Sequence, residues 1–455
     1  MFYKNVNDKI ETLEKNKWKL MRKCVLYLEE KVMKAYGGEI VKAIGKTLFF
    51  LGLGISILLY CEWRGTLDET IYVCWESIWV SPVFAVILFL LYYKKGKKTV
   101  KTIANRKLYL DYARVLAAVC VILAHACNMQ RGEEAAPWRI ALLTICAGMG
   151  LVCNPLYVMI SGSLLLSSEK KESVPDFYYR RFTKVVIPLV VYYSVFLCVS
   201  GQMSFLPPKN LGKGFLQILA GESGIVPHYW LIYTLICLYI LAPFVRMVAR
   251  KLNEQQLYIL FWSIMIMELV LTLLPLAGVP IGFLLSLVQW TGVFIVGYIV
   301  TEKRSKALER WVLVLGAVST IVICSIILQD YNWIGYLCNT SPGMVLVAGS
   351  ILILLSKIKY TPTKAISTAI SSFAKYSYAI ILVHWYGLFV VTWGKLGLQP
   401  LRFGCIGGIV LTVVVATLVC FLMGVAGDNT IVFVVQSVFE LPYEWIKQRK
   451  HTKNT

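Results

Sequence analysis

Acid and histidine are both scarce in this sequence. Of 455 residues only 25 are Asp or Glu, against 46 Lys or Arg, and only four are His. Charged residues of both signs make up 16% of the chain, well under the roughly 25% of an ordinary soluble domain. There is no Walker phosphate loop, no His-x-x-x-His or His-Glu-x-x-His pair and no Gly-x-Ser-x-Gly elbow. A soluble hydrolase or a metal-dependent enzyme therefore has no support. The 13 cysteines include no Cys-x-x-Cys pair and no Cys/His metal spacing. They sit mostly inside apolar runs and read as small core residues, so neither a metal site nor a permanently bound cofactor is expected. The first 46 residues are charged, and no short apolar stretch with a small-residue cleavage site opens the chain, so no cleavable signal peptide is expected.

Hydrophobic residues make up 58% of the sequence. Several apolar runs reach about 20 residues, the length that spans a bilayer. The sequence predicts an all-α polytopic membrane protein. Residues 1–46 carry an apolar stripe at helical spacing with basic flanks, which reads as an amphipathic segment on anionic lipid or as an ordinary solvated helix. Two apolar runs follow within 47–106, closed by the basic linker at 94–107. The main domain, 107–427, yields ten further spans at about 109–129, 140–166, 185–202, 229–247, 257–276, 282–301, 311–328, 341–357, 377–397 and 405–427. Gly427, Asp428 and Asn429 are read as the break that ends the last core span. Residues 428–455 form a short interfacial stretch and a basic tail. Lys and Arg concentrate in alternate loops, which places both termini in the cytoplasm by the positive-inside rule. The net charge of +21 is thus a row of membrane-side anchors, and nucleic acid is not an expected partner.

Polar groups inside the spans are the candidates for chemistry, because an ionisable side chain in lipid is costly to keep. Asp111 and Arg114 lie three apart at the start of the first core span, on one helix face. His125 follows eleven residues later, ~16 Å further along a helix. The plainer reading is a surface ion pair and a bonded interior histidine. Arg181 and Lys184 precede the third core span and offer two cations suited to phosphates; the plainer reading is a positive-inside anchor. His228 starts the fourth core span near the depth of His125, among Tyr229, Trp230 and Tyr233, where an aromatic belt is the plainer reading. His384 falls about two turns into the ninth span, which puts it nearer the cytoplasmic side. Three of four histidines in or at the ends of apolar helices suggest a polar cavity through the bundle.

Four segments carry a resemblance. LDYARVLAAVCVILAH (110–125) has an Arg and a His separated by ten residues. NPLYVMISGSLLL (154–166) ends in a Ser-Gly-x-Leu-Leu signature. HYWLIYTLICLYILAP (228–243) has His-x-Trp-x-x-Tyr, and SYAIILVHW (377–385) has Ser-x-x-Ile-x-x-x-His. In this order, over about 107–427, they resemble the acyltransferase-3 family of bacterial membrane O-acyltransferases. The ten-span count agrees with that family.

The resemblance implies a transfer of an acyl group, acetyl in the first instance, from cytoplasmic acyl-CoA to a hydroxyl of a cell-surface or lipid-linked carbohydrate. It implies a bacterial cytoplasmic-membrane location, with membrane lipid and envelope-polymer biosynthesis proteins as partners. It places the family's Arg/His pair on Arg114 and His125 as catalytic residues. Its cytoplasmic Arg-x-x-Arg falls on Arg181 and Lys184, where Lys keeps the charge and loses the planar fork. His384 joins these on the donor side, and His228 and Trp230 fall to the acceptor or the carbonyl. The alternatives are a secondary transporter and a polysaccharide-export component, since an even number of spans with both ends inside also suits them.

Overall fold

The computed structural model describes residues 107–440 and Tyr443, apart from 133–135, 168–171, 206–207, 222–225 and 359–361. The expected amphipathic segment at 1–46, the two-helix appendage at 47–106 and the basic tail beyond Tyr443 lie outside the described residues. Among the described residues nine helices are long and apolar enough to cross a bilayer, and a bent pair makes a tenth. The all-α polytopic reading holds. The exception to helix is a pair of two-residue strands, Ser204–Phe205 and Pro208–Lys209.

The chain opens with α1, Leu108–Gln130. It contains no Gly or Pro, so nothing interrupts the backbone ladder across 23 residues. Its buried side includes Ala113, Ala117, Ala118, Ala124 and Ala126. Small side chains let neighbouring helices approach closely in a bilayer. The expected span at 140–166 is two helices, α2 (Pro137–Gly150) and α3 (Cys153–Leu166), joined by a turn at Leu151 and Val152. Twelve of the fourteen α3 residues are buried, so this helix is walled in on every side.

α3 is placed by glycine. A Cβ on Gly162 would overlap the Phe294 carbonyl oxygen, and one on Gly297 would overlap the Met159 carbonyl oxygen. Phe294 and Gly297 belong to α9, Phe283–Glu302. Two backbones therefore touch where each helix lacks a side chain. Next to that contact, Thr301 donates to Ser163 Oγ at 2.7 Å. The carbonyls at the α3 C-terminus are met by arginines of α7 (Trp230–Ala249) and its cap: Arg246 Nε donates to Leu165 O at 2.6 Å, and Arg250 Nε to Leu166 O at 3.2 Å. Such carbonyls have no partner within the helix.

The third expected span begins earlier than 185. α4 (Val174–Arg181) runs through a π-helical turn at Phe182–Val186 into α5 (Ile187–Val199). Pro188 has no backbone N–H to give to the carbonyls behind it. Neighbours compensate: Gln436 donates to Thr183 O at 2.7 Å and Tyr378 to Val185 O at 2.9 Å. The short helices and long spans that follow are α6 (Leu211–Ala220), α8 (Glu254–Leu276), α10 (Lys306–Gln329), α11 (Ile334–Leu337) and α12 (Pro342–Ser356). Residues 331–337 and α12 are the bent pair, at 69°.

Two further boundaries correct the expected ones. α13 runs Lys364–Trp385 and continues as a π-helix over Tyr386–Lys395. It starts thirteen residues before the expected 377, because Thr363 caps it, its side chain accepting from the Ile366 N–H at 3.4 Å. α14, Cys405–Asn429, runs through Gly427 and Asp428 and breaks at Thr430, where φ is −115° and ψ is −97°. Residues 431–440 continue beyond that break as a further helical segment, with Phe439 edge-on to Phe182 of the π-turn after α4.

Candidate active site

A cavity of about 1070 Å³ opens between α1, α3, α4, α7 and α13. One wall is a single stripe of α3: Tyr157, Ile160, Ser161, Leu164 and Leu165, spaced three and four apart. The opposite side of α3 carries Gly162 and Ser163 against α9. The Ser-Gly-x-Leu-Leu signature thus serves two faces. Ser161 hydrogen bonds Tyr239 at 3.0 Å across the cavity wall, and Gly162 admits the neighbouring backbone.

Six cations line the cavity: Lys107, Arg114, Arg180, Arg181, Lys184 and Lys375. Three carboxylates oppose them, each next to one cation. Arg114 Nη1 reaches Asp111 Oδ1 at 3.1 Å, Lys107 Nζ reaches Glu302 at 2.5 Å, and Arg180 reaches Glu172 at 3.5 Å. Six against three leaves the wall positive. Low-dielectric walls focus such a field on whatever enters. Arg181 is partly buried, its guanidinium carbon 5.2 Å from the Phe177 ring centre and 5.8 Å from that of Tyr239. Its Nε has no acceptor among the described residues. Arg114, Arg181 and Lys184, far apart in sequence, thus line one basic chamber.

The three membrane histidines meet in one cluster. His125 on α1 stacks on His384 of α13 with ring centres 5.1 Å apart. His228, in the short turn Pro227–Tyr229 before α7, lies 4.5 Å from His384, nearly perpendicular to it. Trp385 closes the group, 5.3 Å from His125 and 5.8 Å from His228. The shallow position expected for His384 is therefore corrected: it lies level with His125 and His228. The reason is the early start of α13. His384 is twenty residues into that helix, ~30 Å along its axis.

Hydrogen bonds orient two of the rings. His384 Nδ1 lies 2.7 Å from the Ile381 carbonyl oxygen. A carbonyl only accepts, so Nδ1 carries the proton and Nε2 presents the lone pair. His384 is fully buried, and Nε2 has no partner among the described residues. His228 Nε2 lies 3.4 Å from the Leu382 carbonyl oxygen, which leaves His228 Nδ1, also buried, as the lone-pair nitrogen. Tyr229 donates to the same carbonyl at 2.9 Å. That oxygen is available because α13 changes to π-helix here, and the Tyr386 N–H turns to Val383.

Cavity and cluster adjoin. Ile381 lines the cavity, and its carbonyl holds His384. A basic chamber thus ends one helical turn short of three imidazoles. Trp230 is 39% exposed and packs against Trp290 at 5.5 Å. It does not join the histidine cluster, whose indole is Trp385. Sequence reasoning passed over Trp385, Tyr157, Arg180 and Lys375. Trp385 is legible as the residue after His384, and Tyr157 lies within the second motif, where no local signal separates it from a packing aromatic.

Among the described residues no group of His, Cys, Asp and Glu is placed to hold a metal ion. A family model described as an acyltransferase domain matches residues 107–425. No curated protein and no solved structure matches the chain. That match spans the cavity, the histidine cluster and all four sequence motifs, and the chain belongs to the acyltransferase-3 family, a multi-pass membrane acyltransferase.

Proposed function

We propose that the protein moves an acetyl group from cytoplasmic acetyl-CoA to a hydroxyl of a cell-surface or lipid-linked carbohydrate, in the bacterial cytoplasmic membrane. The observation that carries this reading is the basic chamber ending against an imidazole cluster. A polyanionic donor with a long neutral arm matches that sequence of environments. Arg181, Lys184 and Arg114 hold the phosphates, since guanidinium and ammonium groups make charge-assisted hydrogen bonds to phosphate oxygens. The arm runs along the α3 stripe and brings the thioester to the histidines. The acyltransferase family match replaces the transporter and export-component alternatives.

At the cluster His125 accepts the proton of the acceptor hydroxyl as its oxygen attacks the thioester carbon. The carbon–sulfur bond breaks, and the departing thiolate takes the proton back from the imidazolium. His384, level with His125, acts at the thioester end of the donor, not midway along its arm. His228 serves the acceptor side; Trp230, packed on Trp290 away from the cluster, takes no part at the reacting atoms. Concentration of Lys and Arg in alternate loops supports a cytoplasmic basic mouth and cytoplasmic termini. Envelope-polymer biosynthesis proteins supply the acceptor.

Purified protein with radiolabelled acetyl-CoA tests the reading. Label passes to a carbohydrate acceptor, or slowly to water; uptake of substrate into proteoliposomes with no CoA-dependent transfer overturns it. Comparison of surface polysaccharide from a deletion strain by NMR is expected to show missing ester groups.

Arg181→Ala is expected to raise the KM for acyl-CoA by about tenfold or more, given roughly 1.5–3 kcal/mol for a hydrogen bond to a charged group. Turnover at saturation should change little. An unchanged KM would reduce Arg181 to a membrane-side anchor.

A further inference from the structure

Tyr157 sits on the cavity-facing stripe of α3 and is 7% exposed. Its hydroxyl is buried and has no hydrogen-bond partner among the described residues. One turn along the same face, Ser161 has its partner in Tyr239. An unpaired buried hydroxyl destabilises a fold, and a phenylalanine would fill the same volume without that cost.

Position narrows what the hydroxyl meets. The stripe runs from Leu165, whose carbonyl is held by Arg246, to Tyr157 eight residues deeper, ~12 Å along the helix. Tyr157 is thus the member of the stripe furthest from the mouth. Phosphates belong with the cations, and the reacting thioester belongs with the imidazoles. What lies between them in a donor of the proposed kind is a neutral chain with amide groups. A phenol O–H suits a neutral carbonyl oxygen, and the α3–α9 backbone contact fixes its place in the wall.

We propose that the Tyr157 hydroxyl is a donor-binding group that hydrogen bonds an amide carbonyl of the acyl-CoA arm. This rests on the acyl-CoA reading above. It adds a neutral, length-sensing contact between the phosphate site and the histidines, so that a correctly anchored arm delivers its thioester at the right depth.

Tyr157→Phe removes one oxygen and keeps the ring. The KM for acetyl-CoA and the Kd for CoA are expected to rise roughly 3- to 10-fold, the range of one net hydrogen bond. Saturated turnover should hold. Binding of adenosine 3′,5′-bisphosphate, which carries phosphates without the arm, should be unchanged. The thermal midpoint of the unliganded variant should stay level or rise. Unchanged CoA affinity overturns the proposal. Equal weakening of the bisphosphate overturns it too, since the hydroxyl would then serve the phosphates. A fall in turnover at constant KM moves the hydroxyl to the reacting carbonyl, and a lowered midpoint makes it structural. If the wild-type protein binds neither CoA nor the bisphosphate, the donor reading itself has failed.

Discussion

His125→Ala abolishes measurable transfer while the protein still inserts and binds donor. The expected loss is about 10²–10⁴-fold in turnover, the usual contribution of a positioned general base. The expectation follows from placement. His125 reaches the cluster from α1, the helix that also carries Arg114 at the cavity. Its ring stacks on His384 and meets Trp385 edge-on, so it faces protein and not lipid. Truncation removes an imidazole from a partly buried site and leaves the hydrogen bonds of His384 and His228 to their carbonyls in place. Folding should therefore survive, and CoA affinity should stay within a few-fold of wild type. Turnover retained at a tenth or more of the wild-type level would refute the assignment of His125 as base. His384→Ala is the informative companion. It also removes the Nδ1–H that meets the Ile381 carbonyl, so it should lower the thermal midpoint as well as the rate.

Gly162→Leu should prevent the domain from assembling. The Cβ alone would occupy the position of the Phe294 carbonyl oxygen, which belongs to a helix backbone and cannot rotate away. α3 and α9 must then separate, and a packed bundle resists that. Overpacking of a core typically costs about 1–3 kcal/mol, and a clash with backbone lies at or beyond the top of that range. Even Gly162→Ala should be clearly destabilised. Because the other face of α3 is the cavity wall, a partly folded variant should also lose donor affinity. Gly407→Ala is the control, since nothing lies within 4 Å of a Cβ built there. Detergent-solubilised thermal melts and size-exclusion profiles of the three variants check this. A Gly162→Ala protein as stable as Gly407→Ala would remove the close backbone contact from the account.

Run length and composition were enough to specify a polytopic helical protein. About 20 apolar residues in a row must either span a bilayer or aggregate, and a spanning segment in lipid must satisfy its own backbone. Four motifs carried the family, and the Arg114-to-His125 spacing fixed a helical distance between a cation and an imidazole before any neighbour was known. Spacing works there because both residues share one unbroken helix.

What the sequence left open depended on contacts between helices. The depth of His384 is not legible in hydropathy, because its apparent span begins at an apolar boundary whereas the helix begins at the Thr363 cap, thirteen residues earlier. Hydropathy marks where lipid starts; hydrogen bonds mark where a helix starts. Convergence of His125, His228 and His384 joins residues 125, 228 and 384 across three segments, and no local pattern encodes such a meeting. The orientation of His228 follows from the change of helix at Tyr386, which leaves the Leu382 carbonyl free to accept, and that of His384 from the Ile381 carbonyl one turn back. Tyr157 looked like one more apolar-helix aromatic in the sequence. Only packing, which buries its hydroxyl in the cavity wall and supplies no partner, sets it apart from the other tyrosines of that wall, Tyr239 and Tyr378, whose hydroxyls are bonded.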